Sequence, residues 1–347
     1  MTGYQAGWGV VGHDWAVALL RSGLSAGRVA HAYLLSGPPQ IGKRTLALAL
    51  AQALNCAAPD APCGRCSSCL KIARGVHPDI RLISGEGPGG SIKIEQMRAL
   101  QHEAVLAPYE GRCRVFVLRQ MEQATLEAAN SLLKTLEEPP AQVILVLTAV
   151  HAESLPRTIV SRCQHLGLRP VAAPAIEQAL RDKGIVPSQA RFLARLSGGR
   201  LGWALQAAAD ENLLHQRQQD LDLLVRLLTA GRVERLASAH EASGDPATAR
   251  QLVELWICWW RDLVLFGQGA EGLINTDQLE QYRSVSGQLA PAHTLAILQS
   301  LQATAAHLEA NVNTRLALEG LFLQLPLLAS SPQPAAGRPP SGSFSKG

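Results

Sequence analysis

The 347-residue sequence predicts an α/β domain, with a parallel sheet covered by helices on both faces, followed by segments that are helical throughout. Three observations support this fold class. From Ala30 to about Cys163, short apolar runs alternate with longer amphipathic runs, the order typical of a parallel sheet with crossover helices. A glycine-rich loop follows the first apolar run, and after Pro170 no run has the features of a strand. At roughly 150 residues per domain, the length allows two or three domains.

Four strands and three helices are predicted in the first part of the chain. The strand sequences are short, rich in β-branched residues and leucine, and flanked by apolar residues. They are AHAYLLSG at 30–37, DIRLIS at 79–84, RVFVLR at 114–119 and QVILVLTAV at 142–150. The helices are expected between these strands, at 44–54, 95–106 and 124–136.

The rest of the chain is predicted to be helical. Residues 175–205 contain helical pieces separated by the turn sequences KGIVPS and SGGR, enough for a small three-helix module. In a third segment, at 212–328, large apolar side chains recur on one helix face, which a packed helical core explains better than a ligand site. They are Leu252, Leu255, Trp256, Trp259, Leu263 and Phe266. The tail SSPQPAAGRPPSGSFSKG has few apolar residues, so disorder is expected at 331–347.

The composition is that of a globular protein. Hydrophobic residues make up 47% of the chain and charged residues 17%. The formal net charge of +4 is small for this length and neither requires nor excludes a nucleic-acid partner. The longest strongly apolar run, at 143–150, is shorter than the ~20 residues of a membrane helix, and the N-terminal residues have no signal-peptide pattern. We therefore expect a cytoplasmic protein without membrane contact.

The loop after the first predicted strand has most of a phosphate-binding motif. In LSGPPQIGKRT, the residues Gly37, Gly42 and Lys43 occupy the required places of GxxxxGK[ST]. Arg44 stands where the motif has a hydroxyl, and Thr45 comes one residue late. Glycine N–H groups and the start of a helix can hold a phosphate, so passive binding of ATP or ADP is physically possible.

Hydrolysis requires carboxylates that the chain lacks at the expected place. P-loop ATPases hold Mg²⁺ and orient water with acidic residues at the end of a later strand. Here the run RVFVL ends at Leu118 and is followed by Arg119 and Gln120. A cation repels Mg²⁺, and an amide cannot accept a proton. Glu122 lies two residues further on and receives little weight, so the sequence predicts no intrinsic ATPase activity.

Four of the seven cysteines lie within 14 residues, with the spacing C-x6-C-x2-C-x2-C. They are Cys56, Cys63, Cys66 and Cys69. Four thiolates at this spacing can bind a tetrahedral Zn²⁺ and leave no position for water, so such a site would be structural. Two thiol pairs, a redox CxxC and an iron–sulfur cluster remain alternatives. The scattered Cys113, Cys163 and Cys258 are expected to be reduced and buried.

Five longer stretches carry a family resemblance. They are VAHAYLLSGPPQIGKRTLALALAQALNC at 29–56, HPDI at 77–80, AANSLLKTLEEPPA at 128–141, LPRTIVSRC at 155–163 and NTRLALEGLFLQL at 313–325. With the cysteine cluster, they resemble the delta-prime family of bacterial DNA polymerase III clamp-loader subunits, within the AAA+ superfamily. The loader's ATPase subunits share most of these stretches, and the missing acids favour delta-prime. The resemblance covers the chain apart from the tail.

The resemblance implies an AAA+ P-loop domain at 1–166 with a zinc module at about 56–75, a helical lid at 167–208 and a helical collar at 209–330. It implies a subunit that does not hydrolyse ATP but supports ATP-dependent loading of the sliding clamp on primed DNA. The implied partners are the motor subunits gamma and tau and the delta subunit. Primed DNA would be reached through the assembled complex, and the sliding clamp would be contacted weakly or indirectly. The implied cofactor is structural Zn²⁺, with ATP or ADP bound but not hydrolysed.

The resemblance also implies functional residues. Ser161, Arg162 and Cys163 match the family motif whose arginine reaches the ATP of a neighbouring motor subunit and stabilises charge in the transition state. The alternative is a solvated arginine near a helix end. SIKIEQMRAL, with Lys93 and Arg98, looks like the family's DNA-facing helix, although a solvated charged face explains it equally well.

Two positions depart from the nucleotide sensors of the motor subunits. The strand-end threonines correspond to Ala149 and Val150 here, with Thr148 one residue early. The lid sensor arginine corresponds to Gly202, with Arg200 two residues ahead. Both departures suit a subunit that does not read its own nucleotide.

Two other functions remain open from the sequence. One is an active, gamma/tau-like clamp-loader ATPase with degenerate motifs, and the end of the third predicted strand argues against it. The other is an autonomous zinc-dependent DNA-binding protein, and the modest net charge argues against that.

Overall fold

The chain divides into two compact units, Met1–Asp210 and Glu211–Gly347. The computed structural model describes residues 8–86, 90–310 and 312–329. The expected disorder at 331–347 lies outside these residues. The predicted division of the first unit into an α/β domain and a lid remains a prediction.

The first unit contains the predicted parallel sheet, which is confirmed with one additional strand. The strands are β1 (Ala32–Ser36), β2 (Ile80–Ile83), β3 (Arg114–Leu118), β4 (Val143–Ala149) and β5 (Gln164–Gly167). Their order is β2-β3-β4-β1-β5, and every pairing is parallel. The sequence pattern does not predict β5, because Leu166 is its one large apolar residue.

The sheet is buried on both faces, as the apolar character of its strands requires. Within β1, Tyr33 and Leu35 pack in one apolar cluster, whereas Ala32 and Leu34 pack in another. Successive side chains of a strand point to opposite faces, so each cluster covers one face of the sheet. β4 is buried along its whole length, and the edge strand β2 is only partly buried.

Helices cover both faces of this sheet. Those of the first unit are α1 (Asp14–Ser25), α2 (Lys43–Asn55), α3 (Ser67–Ala73), α4 (Ile94–Ala104), α5 (Leu126–Glu137), α6 (Arg157–Val160), α7 (Ala173–Asp182), α8 (Pro187–Leu196) and α9 (Leu201–Ala209). α1 and α2 pack in the cluster that contains Tyr33, and α4 and α5 pack in the other. The three helices expected between the strands are confirmed as α2, α4 and α5. The sequence pattern does not predict α1 or α3.

The segment after β5 contains three short helices, as its turn signals predict. Pro174 and Pro187 lie in the first turns of α7 and α8, where a missing N–H costs nothing. Gly199, just before α9, has φ of 88°, and a Cβ there would lie 2.4 Å from Cβ of Pro170. Only glycine fits this position.

The second unit is helical, with a core rich in aromatic residues. Its helices are α10 (Asn212–Leu227), α11 (Arg232–Ala242), α12 (Pro246–Gly267), α13 (Leu279–Ser286), α14 (Pro291–Glu309) and α15 (Thr314–Gln324). Trp256, Trp259 and Trp260 of α12 are completely buried, and the ring of Trp256 lies 5.0 Å from that of Phe322. The predicted tryptophan-rich helix core is therefore confirmed, although Leu255 and Phe266 are only partly buried.

Two buried charges also hold the second unit together. The guanidinium of Arg235 donates to the carbonyls of Leu227, Phe322, Leu325 and Pro326, at the ends of α10 and α15. The carboxylate of Asp262 accepts hydrogen bonds from the N–H groups of Ile274 and Asn275 and orders the loop after α12. No described helix combines the length and the apolar character needed to cross a membrane.

Candidate functional site

The phosphate-binding motif forms the turn between β1 and α2. Gly37 has φ of 137° and Gly42 has φ of 110°, values that favour glycine. A Cβ on Gly37 would lie 2.4 Å from the carbonyl oxygen of Leu168, so the loop is closely packed against the residue after β5. Arg44 and Thr45, in the first turn of α2, are exposed.

The amine of Lys43 is bound within its own loop. Nζ donates hydrogen bonds to the carbonyl oxygens of Gly37 and Pro38, the second at 2.8 Å. Burial lowers the pKa of Lys43 to about 8, and the negative charge of Glu122 opposes this shift. Glu122, which receives little weight from the sequence, is therefore close enough to influence the P-loop lysine.

The end of β3 offers no carboxylate at the two positions that follow the strand. The backbone N–H of Arg119 donates to the carbonyl of Ile83, and its side chain is half-buried. Gln120 has φ of 55°, and its N–H donates to the hydroxyl of Thr148 at 3.0 Å. Thr148 lies one residue before the expected sensor position. Its hydroxyl therefore links the end of β4 to the end of β3.

The P-loop is joined directly to α9. The N–H of Gly202 donates to the carbonyl of Gln40 at 2.8 Å, and the side chains of Gln40 and Gln206 are hydrogen-bonded at 2.8 Å. A Cβ on Gly202 would lie 2.9 Å from that carbonyl oxygen. Glycine at the predicted sensor position allows this close approach. Arg200 instead donates to the carbonyl of Ser197, in its own turn.

A buried histidine supports the same loop and was not identified from the sequence. Nε2 of His13 lies 2.8 Å from the carbonyl oxygen of Ile41. A carbonyl oxygen only accepts, so Nε2 is the donor, and burial lowers the pKa of His13, which favours the neutral ring. His13 precedes α1 and is far from the motif in sequence, so no local pattern connects the two.

The guanidinium of Arg162 is bound by neighbouring parts of the first unit. Nη2 lies 2.8 Å from Oε1 of Glu137, the last residue of α5, and Nη1 donates to the carbonyl of Thr158 at 3.0 Å. The side chain of Arg162 is 36% exposed and that of Glu137 is 52% exposed. Ser161 is exposed, and burial raises the pKa of the Cys163 thiol to about 11.

The structure brings the four clustered cysteines together. Their sulfur atoms all lie within 4.8 Å of one another, and those of Cys56 and Cys66 are 3.9 Å apart. A tetrahedral zinc ion with bonds of about 2.3 Å requires sulfur atoms about 3.8 Å apart, so the arrangement fits a four-thiolate metal site. Backbone N–H groups of Arg65 and Cys66 lower the pKa of Cys63 to about 6, whereas burial raises that of Cys69 to about 12.

Polar contacts fix the cysteine cluster to the body of the first unit. Gln52 of α2 donates to the carbonyl of Cys69 at 2.9 Å. Lys71 of α3 pairs with Glu110 at 2.6 Å, and Glu110 also lies 3.4 Å from Nε2 of the buried His77. A metal in the cluster would therefore stabilise α3 next to the helix that follows the P-loop.

The remaining cysteines and the candidate DNA-facing residues differ in exposure. Cys113 is buried, as expected, but Cys163 and Cys258 are only half-buried, so the expectation of full burial is wrong for these two. All seven thiols, each within the described part of the chain, are free of disulfides. Lys93 and Arg98, at the start of α4, are both exposed.

Comparison with known proteins identifies the family. A family model described as "DNA polymerase III, delta subunit" matches residues 12–172. The DNA polymerase III subunit delta' of Pseudomonas aeruginosa is 33% identical over 323 residues, which are 90% of this chain and 96% of that protein. The chain belongs to the DNA polymerase III delta' family. The predicted family resemblance is thereby confirmed.

Other relatives of this delta' family member match over part of their length. The delta' subunit of Bacillus subtilis is 35% identical over 206 residues, which cover 59% of this chain and 62% of that protein. The tau subunit of Salmonella typhimurium is 36% identical over 204 residues, which cover 56% of this chain and 31% of that protein. The chain thus spans less than two thirds of the length of these two relatives.

Proposed function

We propose that this delta' family member is a non-hydrolysing subunit of the DNA polymerase III clamp loader, which supports ATP-dependent loading of the sliding clamp on primed DNA. The observation that carries this proposal is the end of β3, where Arg119 and Gln120 stand in place of acidic residues. A cation at this place repels Mg²⁺, and an amide cannot accept a proton from water. The site therefore lacks the groups that activate the attacking water.

The P-loop supports the same proposal. Lys43 is engaged by the carbonyls of its own loop, and Gly202 brings α9 against Gln40. The residue after the lysine is Arg44 rather than a hydroxyl that could hold Mg²⁺. The loop keeps Gly37, Gly42 and Thr45, so it can hold ATP or ADP passively without hydrolysis.

The proposed catalytic contribution of this chain is Arg162, within the motif of Ser161 and Cys163. It would act in trans on the ATP bound by a neighbouring motor subunit, where an arginine finger raises the rate of phosphoryl transfer by roughly 10³–10⁵. Its partial exposure supports this role, because the guanidinium is accessible to a neighbour.

The proposed cofactor is one structural Zn²⁺, held by Cys56, Cys63, Cys66 and Cys69. A bound ion with four sulfur ligands would stabilise the module at about 56–75 and supply no reaction chemistry. Metal analysis of the purified chain tests this. One zinc per chain is expected, and iron in equal amount or no metal would contradict the assignment.

The proposed partners are the gamma and tau motor subunits and the delta subunit, within the cytoplasm. In the assembled complex, Lys93 and Arg98 of this chain would contact primed DNA, because their exposed charges can bind phosphates. Contact with the sliding clamp would be weak or indirect.

ATPase measurements test the proposed function directly. The isolated chain should show no turnover. In the reconstituted loader, Arg162→Ala should reduce the rate at the facing ATP site by about 10³ or more, because the transition-state charge loses its cation. Arg157→Ala is the matched control, since Arg157 is exposed on the adjacent α6. Turnover by the isolated chain would instead establish an active gamma/tau-like ATPase, and an unchanged loader rate would remove Arg162 from its role.

A further inference from the structure

Glu137 lies at an unfavourable place for a carboxylate. It is the last residue of α5, and the helix cap Glu138 follows it. The carboxyl end of a helix carries partial negative charge, so acidic residues there are disfavoured. The ion pair of 2.8 Å with Arg162 offsets this unfavourable position of the Glu137 charge.

The next residue gives a direct comparison. The side chain of Glu138 is exposed and forms no hydrogen bond or ion pair with any residue that the structure describes. Glu137 and Glu138 thus share the same helix end and the same charge, but only Glu137 contacts the guanidinium. The contact is specific to one carboxylate and does not reflect a general acidic surface.

Both terminal nitrogens of Arg162 have acceptors within the chain. Nη2 pairs with Glu137, and Nη1 donates to the carbonyl of Thr158 at the end of α6. A phosphate offers the same kind of oxygen acceptor with more negative charge. A phosphate can therefore replace Glu137 as the anionic partner of Nη2 while Nη1 keeps the carbonyl of Thr158.

We propose that Glu137 is a positioning residue for Arg162, holding the guanidinium in a resting position from which the phosphate of a neighbour's ATP displaces it. This inference rests on the proposed role of Arg162 as a finger. The pair is partly exposed on both sides, so it is weak and reversible. A weak resting partner keeps the arginine ordered before a neighbour is engaged and releases it at small cost.

The steady-state kinetics of the reconstituted loader test this role. kcat/KM compares the resting loader with the transition state, so it includes the cost of breaking the resting pair. Glu137→Gln, which keeps the size of the side chain, should raise kcat/KM for ATP about two- to fivefold, the range expected for a partly exposed ion pair. Glu137→Ala should give the same rise, and Glu138→Gln should give none.

Two further measurements separate positioning from a structural role. The rise should become smaller as salt concentration increases, because salt screens the pair in the unmodified chain. It should also be absent when Arg162→Ala is already present, because Glu137 acts through that residue. A rise that persists in the Arg162→Ala background, or an equal rise for Glu138→Gln, would overturn the inference.

The outcomes also distinguish this inference from the function on which it rests. An unchanged rate for Arg162→Ala would overturn the proposed finger. A reduced rate for Arg162→Ala, combined with no rise for Glu137→Gln and Glu137→Ala, would overturn the role of Glu137 alone. Thermal unfolding of each isolated variant chain verifies that it is folded before the loader is assembled.

Discussion

Two cations of the first unit, Lys43 and Arg162, are both bound by their own chain, but by different kinds of partner. Lys43 donates to the carbonyls of Gly37 and Pro38, and burial lowers its pKa to about 8. Arg162 pairs with the carboxylate of Glu137 at a partly exposed site. A partly buried cation held by neutral carbonyls is a fixed part of its loop, whereas an exposed ion pair can be exchanged for another anion. Of these two cations, Arg162 is therefore the one whose partner another anion can replace.

Loss of the proposed zinc site should produce the largest effect, and this effect should be confined to the part of the first unit next to the P-loop. Apparent binding free energies of structural zinc are about 10–16 kcal/mol in small zinc peptides, so Cys69→Ser should remove the metal and unfold the module at about 56–75. Metal analysis and hydrogen exchange measure this. Exchange should increase in α3 and at the end of α2, while α6 beside Arg162 stays protected.

The control for this prediction is Cys258→Ser in the second unit, which should retain the metal. If hydrogen exchange increased as much in α6 as in α3, the arginine motif would depend on the same module as the P-loop side. That result would contradict the difference between the two regions.

Gly37→Ala should have the next largest effect and tests how tightly the P-loop is fixed. The substitution combines φ of 137° with a Cβ that would lie 2.4 Å from the carbonyl oxygen of Leu168. We expect a loss of about 2–4 kcal/mol in the free energy of unfolding, measured by urea denaturation of the full chain.

Gly75→Ala is the matched control. Gly75 has φ of 74°, and a Cβ on this residue would have no atom within 4 Å, so only the backbone conformation opposes alanine there, at about 1 kcal/mol. Equal losses for the two variants would contradict the close packing of the P-loop.

The titration of Lys43 should have the smallest effect and sharpens the comparison between the two cations. Below about pH 8 the amine is charged in both the folded and the unfolded chain, and the cost of burying its charge is fully present. Between about pH 8 and the ordinary pKa of 10.5, the unfolded chain binds more protons than the folded chain. The unmodified chain should therefore gain about 1 kcal/mol of stability relative to Lys43→Met as the pH rises through this window, after allowance for solvent screening.

Urea denaturation at a series of pH values measures this difference. The stability difference between the unmodified chain and Gly75→Ala should stay constant across this window, because that substitution removes no titratable group. A constant difference between the unmodified chain and Lys43→Met across the window would show that the lysine is not desolvated in the folded loop.

Local sequence patterns were sufficient to predict the mainly apolar strands and the cysteine cluster. β1, β3 and β4 contain continuous apolar runs, and β2 has three apolar residues out of four. The four cysteines of the cluster lie within 14 residues, so both features can be identified from local spacing. β5 is different: it is mainly polar and becomes a strand through its backbone pairing with β1. A search for apolar side-chain patterns therefore does not detect β5.

The contacts that define the candidate site could not be predicted, because they join distant parts of the sequence. His13 supports the carbonyl of Ile41, and Gln40 bonds to Gln206, 166 residues away. The P-loop motif could be read from the sequence, but the engagement of Lys43 by its own loop depends on the folded turn. The sequence identified the cations, and the three-dimensional structure identified their partners.

The tryptophan-rich core of the second unit has a practical consequence. Three of the six tryptophans are completely buried in α12, and the indole N–H groups of Trp259 and Trp260 have no hydrogen-bond partner among the described residues. Indoles in such an apolar environment fluoresce at shorter wavelength than those in water. Of the three tryptophans in the first unit, only Trp8 is similarly buried, at 2% exposure. A shift of the emission maximum to longer wavelength on unfolding of the unlabelled chain therefore comes mainly from the helical core of the second unit, with Trp8 contributing from the first.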